Sequence, residues 1–172
     1  VVKNSFHLNF SQIGIITLVF QLTASLFQPL IGLYTDRKPQ PYSLAVGMVF
    51  TLLGLIILSQ AKNYAMLLVS VAVIGTGSSV FHPEASKVAY MASGGRRGLA
   101  QSIFQVGGNM GSSLGPILAA MIIVPYGHSS ILWFTVLALL AITVLLYVGR
   151  WYTHHMNMVR KKVATITQGH GF

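Results

Sequence analysis

The sequence predicts an all-α membrane protein: five transmembrane helices that make up an incomplete N-terminal six-helix bundle. Three observations predict it. The 172 residues are 53% hydrophobic and only 8% charged, with a mean hydropathy of +0.68; an ordinary soluble domain carries about 25% charged residues. Five apolar stretches are each of the ~20-residue length that crosses a hydrocarbon core as helix. The gaps between them are short, and all but one of the basic residues lie outside the apolar stretches.

A lone spanning segment must satisfy its own backbone in lipid, so these stretches are helices rather than strands. They cover about 10–34, 43–61, 64–92, 99–124 and 130–149. The first carries a polar stripe of Gln21, Ser25, Gln28 and Gly32. The third and fourth are less apolar than the others and rich in Gly and Ser. Residues 150–172 read as a basic cytoplasmic tail, the start of a central loop.

Short connections make neighbouring helices antiparallel, so alternate gaps face opposite sides. One side receives Arg37, Lys38, Lys87, Arg96, Arg97, Arg150, Arg160, Lys161 and Lys162; the other receives Lys3 and Lys62. The excess of Lys and Arg marks the cytoplasmic side, which puts the N-terminus of the sequence outside and the tail inside. The chain opens Val1-Val2-Lys3 with no Met and no signal-peptide pattern. An outside start of that kind predicts one further span ahead of residue 1. Five plus one is half of a twelve-span transporter.

Several function classes drop out. The net charge of +9 suggests nucleic acid, but the basic residues lie between apolar runs rather than in a patch with interleaved aromatics. With no cysteine there is no disulfide framework and no thiol nucleophile. Gly75-Thr76-Gly77 and Gly107-Gly108-Asn109-Met110-Gly111 lack the Gly-Lys-Ser/Thr ending of a phosphate loop. His154 and His155 are neighbours, which a helix points about 100° apart; His7, His128 and His170 read as loop or tail residues. The expectation is no catalytic residue, no metal site and no cofactor.

The chemistry that remains is sparse. Asp36 lies where the first span ends, in Gly32-Leu33-Tyr34-Thr35-Asp36-Arg37. Gly32 permits close helix approach, and Asp36 can accept from N–H groups at the start of the next helix. Glu84 lies one to two turns inside the third span, where a carboxylate must be paired or face a wet cavity. Lys87 at i+3 can pair with it. Ser78, His82 and Ser86 share one stripe, and Pro83 frees a carbonyl beside His82. Glu84 and His82 are the candidate proton carriers. In the fourth span Gln101, Gln105, Asn109 and Ser112 form a polar stripe, and Gly107, Gly111 and Gly115 repeat at the spacing that lets helices approach closely. Gln21, Gln28, Lys87, Gln105 and Asn109 are the candidate walls of a substrate cavity.

Gly32-Leu33-Tyr34-Thr35-Asp36-Arg37 resembles the signature loop of the major facilitator superfamily, Gly-x-Leu-x-Asp-Arg followed by a Gly and two basic residues. The continuation Lys38-Pro39-Gln40-Pro41 departs from it and implies a gate held differently. Gly111-x-x-x-Gly115-Pro116 resembles the fifth-span motif of the antiporter branch, with Ala119 and Ala120 where that motif closes on two glycines. The fourth-span Arg of many drug/proton antiporters has no counterpart among residues 75–86, so its coupling role does not carry over. The longer runs 75–84, 91–96 and 99–116 resemble the bacterial fosmidomycin exporters of the superfamily. The resemblance covers about residues 8–164 and leaves out 165–172.

It implies spans two to six of a proton-driven inner-membrane exporter of that phosphonate antibiotic, working by alternating access. Gly32, Asp36 and Arg37 would belong to its gating loop, and Gly111, Gly115 and Pro116 to helix packing. The implied partners are the lipid bilayer, a small-molecule substrate and the proton, with no nucleic acid. The competing expectation is a non-transporting membrane fragment or pseudogene remnant of such an exporter.

Overall fold

Asn9 opens the first helix with a reciprocal cap: Gln12 N–H donates to Asn9 Oδ1 at 2.7 Å and Asn9 N–H to Gln12 Oε1 at 2.9 Å. The computed structural model describes Phe6 and residues 8–169, with side chains to residue 158. Lys3, His7 and His170 lie outside the described residues. Helix α1 spans Phe10–Arg37, α2 Ser43–Ser59, α3 Tyr64–Ala92, α4 Arg97–Tyr126 and α5 Leu132–Gly169, with a single 3-10 turn at His128–Ile131. No strand occurs among the described residues.

Four of these helices are long and apolar enough to cross a membrane, and α2 is a shorter apolar helix of 17 residues. At 1.5 Å per residue α2 reaches about 26 Å, slightly under the ~30 Å hydrocarbon thickness. The boundaries differ from the expected ones where local chemistry decides. Helix α1 continues through the Gly32–Asp36 motif and stops at Lys38, whose backbone is extended (φ −130°, ψ 90°); Pro39 excludes the helical conformation from the residue before it. Asp36 is therefore on a helical turn rather than in a loop. Helix α4 runs through Pro116 and Pro125 and ends at Gly127, which takes a positive φ of 81°. Helix α5 passes straight beyond Gly149, since residues 150–168 contain neither Gly nor Pro.

Helix α3 sits in the middle, packed along α1 and α2; α2 also carries α5, while α4 touches α3 only lightly. A close crossing is made by Gly47 on α2 and Gly77 on α3. A Cβ on Gly47 would lie 2.9 Å from Gly77 O, and one on Gly77 would lie 2.9 Å from Thr51 N. These glycines let the two helix backbones approach closely. Gly107, Gly111 and Gly115, the expected packing repeat, have nothing within 4 Å of an added Cβ, and the same is true of Gly32. Among the described residues they approach no helix.

The surface is apolar. Phe10, Tyr126, Tyr147, Trp133 and Met121 are all more than two-thirds exposed, far beyond the patches a soluble monomer shows. The small buried cluster of Leu8, Ala61 and Leu67 lies at the end of the bundle opposite Asp36. There His128 is no free loop residue: its Nε2 lies 2.6 Å from Leu58 O and its ring meets Phe6 edge-on.

Candidate functional site

Three helix ends meet at the basic end of the bundle, and each supplies a polar side chain. Helix α3 provides Glu84 and Lys87, spaced i and i+3 so that both lie on one face. The last turn of α1 provides Thr35 and Asp36. The first residue of α2 provides Ser43.

Glu84 is fully buried, and both of its oxygens are engaged. Ser43 Oγ donates to Oε2 at 2.8 Å, and Lys87 Nζ donates to Oε1 at 2.9 Å. Lys87 Nζ also lies 2.7 Å from Asp36 Oδ1 and donates to Thr35 Oγ1 at 3.1 Å. An ammonium has three N–H donors, and these three acceptors match them. A carboxylate at 0% exposure is tolerable only when paired and hydrogen-bonded, and that condition is met here. Asp36 is the open end of the chain of contacts, with two-thirds of its side chain exposed.

The expected Glu84–Lys87 pair is thus present, and Asp36 joins it. Asp36 pairs with Lys87 rather than capping the next helix, and Ser43 brings that helix to Glu84 instead. Sequence reading singled out neither Thr35 nor Ser43. Thr35 lies within the quoted motif, but Ser43 reads only as a helix-start serine; its partner is 41 positions away. Arg37 is exposed and makes no ion pair among the described residues.

The remaining candidates are not gathered into this cluster. Gln21, His82, Gln105 and Asn109 are exposed and Gln28 is half-buried. Pro116 lines an apolar groove of about 550 Å³ with Ile13, Leu67 and Ile123, and a larger groove of about 920 Å³ lies between the end of α4 and the start of α5. Neither groove reaches the charged network. Gln101, next along the α4 stripe, donates to Ser86 O at 3.1 Å and to Ser86 Oγ at 3.0 Å, a polar tie between α3 and α4. Arg97 lies over the Tyr90 ring at 4.6 Å, a second such tie. His155 stacks on Trp151, and no group of three metal-ligating side chains occurs among the described residues.

Residues 1–166 match the sequence profile of the Major Facilitator Superfamily. The chain belongs to the major facilitator superfamily. As a superfamily member it is a multi-pass membrane protein, from a family of transporters rather than enzymes. It is 57% identical over 168 residues to the fosmidomycin resistance protein of Escherichia coli strain K12, covering 96% of this chain and 41% of that relative. It is 44% identical over 162 residues to an uncharacterized MFS-type transporter, YfnC, of Bacillus subtilis strain 168, covering 94% of this chain and 40% of that relative. The chain therefore spans about two-fifths of the length of the curated relatives it matches.

Proposed function

We propose that this chain forms most of the N-terminal half of a proton-coupled exporter that removes a small anionic drug of the fosmidomycin type by alternating access. The observation that carries the reading is the 57% identity, over 96% of the chain, to a protein named for fosmidomycin resistance. The basic end of the bundle lies in the cytoplasm on this reading, because the alternation of the spans along the sequence assigns nine Lys and Arg to that side and two to the other. The membrane is then the inner membrane of a bacterium.

The network of Asp36, Lys87, Glu84 and Ser43 is the chain's side of a cytoplasmic latch. Glu84 and Lys87 are its fixed part, sealed by hydrogen bonds; Asp36 is exposed enough to exchange partners when the transporter changes state. Lys87 belongs to this latch rather than to the drug cavity, since its three donors are already used. Of the candidates to attract an anion, the Arg37 guanidinium and the His82 imidazole remain. The exposed amides Gln21, Gln105 and Asn109 support a wet cavity beside α1 and α4, because polar side chains facing lipid are costly. Of the two proton-carrier candidates, His82 is the accessible one, and we assign it that role within this chain.

A chimera tests the reading. The matching segment of the E. coli fosmidomycin resistance protein is replaced with this chain, and fosmidomycin sensitivity is measured in cells lacking their own copy. Retained resistance that collapses with a protonophore is the expected result. A chimera present in the membrane at normal level but giving no resistance sinks the proposal.

A further inference from the structure

Helix α5 reaches the charged network without contributing a charge to it. Gly149 is buried where α5 passes the connection between α1 and α2. A Cβ at Gly149 would lie 2.7 Å from Tyr42 Cδ1 and 2.9 Å from Pro41 O, closer than real Cβ contacts come. Only glycine allows α5 this near. Tyr42 is the residue before Ser43, the first of α2, and the Ser43 hydroxyl donates to Glu84. One turn along α5, Tyr152 is also buried.

We propose that Gly149 is a positioning residue for the network: by letting α5 rest on Pro41 and Tyr42 it sets the first turn of α2 and seats the Ser43 hydroxyl on Glu84. The inference rests on the reading of that network as a latch, and it adds the part that moves it. Helix α5 runs on from Gly149 to Gly169. A shift of that extension along its axis is passed through Gly149 to Tyr42, to Ser43 and so to the buried carboxylate. The route is short, contiguous and made of backbone and a rigid ring, which is the kind of path that carries coupling.

Glu84 is the sole glutamate in the sequence, so carboxyl-labelled ¹³C-glutamate makes its carboxylate stretch visible alone in the infrared spectrum of the full chain in lipid vesicles. Ser43→Ala removes one hydrogen bond from that carboxylate and shifts the band. Gly149→Ala is expected to shift it in the same direction, and to add nothing further in a Ser43→Ala background, because both act on one contact. Adding Tyr42→Ala to Gly149→Ala removes the ring beside the new methyl and leaves the Pro41 carbonyl at 2.9 Å, so the band is expected to move back towards its original position. A Gly149→Ala band identical to wild type, or a shift that adds fully to that of Ser43→Ala, overturns the inference. If Gly149→Ala does not accumulate, Tyr42→Ala alone is decisive, because it removes the ring on which α5 rests: a band shifted in the direction of Ser43→Ala supports the relay, and a band identical to wild type rejects it. These spectra stand apart from transport. A normal phenotype for Asp36→Asn in the chimera removes the latch reading while leaving the Gly149–Ser43 relay intact.

Discussion

Ser43 Oγ, on the first residue of α2, donates to Glu84 Oε2 on α3 at 2.8 Å. With Lys87 on its other oxygen, this carboxylate is enclosed by protein on every side. The arrangement separates two kinds of residue at the basic end: those whose loss leaves a buried charge stranded, and those whose loss changes only what the surface can grip.

Lys87→Met belongs to the first kind. It strands the Glu84 charge, and breaking a buried pair from one side costs about 3 kcal/mol or more. Thermal unfolding in detergent is expected to show a clear fall in Tm for Lys87→Met and a partial recovery when Glu84→Gln is added. Equal Tm values for the single and double variants would show that the pair is not coupled.

Asp36→Asn belongs to the second. Its side chain is 66% exposed, and exposed ion pairs contribute about 1 kcal/mol at most. Its Tm is expected to stay close to wild type, while fosmidomycin resistance in the chimera falls severalfold. A large fall in Tm would mean that Asp36 is structural and not the mobile end of the latch.

Glycine substitutions separate packing inside the chain from packing outside it. Gly77→Ala drives a methyl against the α2 backbone, 2.9 Å from Thr51 N, and overpacking of this kind costs about 1–3 kcal/mol. Gly111→Ala meets nothing within 4 Å, and alanine is the better helix former by about 1 kcal/mol. The 172-residue chain is expected to lose stability with the first and keep or gain it with the second. In the chimera Gly111→Ala is expected to be costly, because there the α4 face meets the rest of the transporter.

The proton assignment is tested by the pH dependence of drug efflux from vesicles containing the chimera. His82→Gln is expected to flatten the profile at normal protein level, and Glu84→Gln to lower the amount of folded protein while leaving the profile's shape. A profile unaltered by His82→Gln moves the proton site elsewhere.

The helices were legible from the sequence because lipid imposes a strict requirement: long uncharged runs with short basic gaps leave few alternatives to antiparallel helices. The Glu84–Lys87 pair was legible too, since i and i+3 on one helix guarantee proximity. The Gly107–Gly111–Gly115 repeat drew attention by its regularity, yet the close crossings are made by Gly47, Gly54, Gly75 and Gly77. Spacing says that a helix can be approached, and only the partner's position says whether it is. For the same reason the sequence offers Asp36 as a cap for the next helix, whereas the helix that carries it continues to Arg37 and the carboxylate pairs with Lys87.

By itself, then, the sequence determined that this is a bundle of membrane helices and which carboxylates are deep enough to need partners. It did so because hydropathy and helical spacing are local properties of the chain. The tertiary structure alone decided that Ser43 closes the shell around Glu84, that Lys87 is shared among three acceptors, and that Gly149 lets α5 bear on the loop beside them. Those contacts join residues far apart in sequence, and their existence depends on how three helix ends converge.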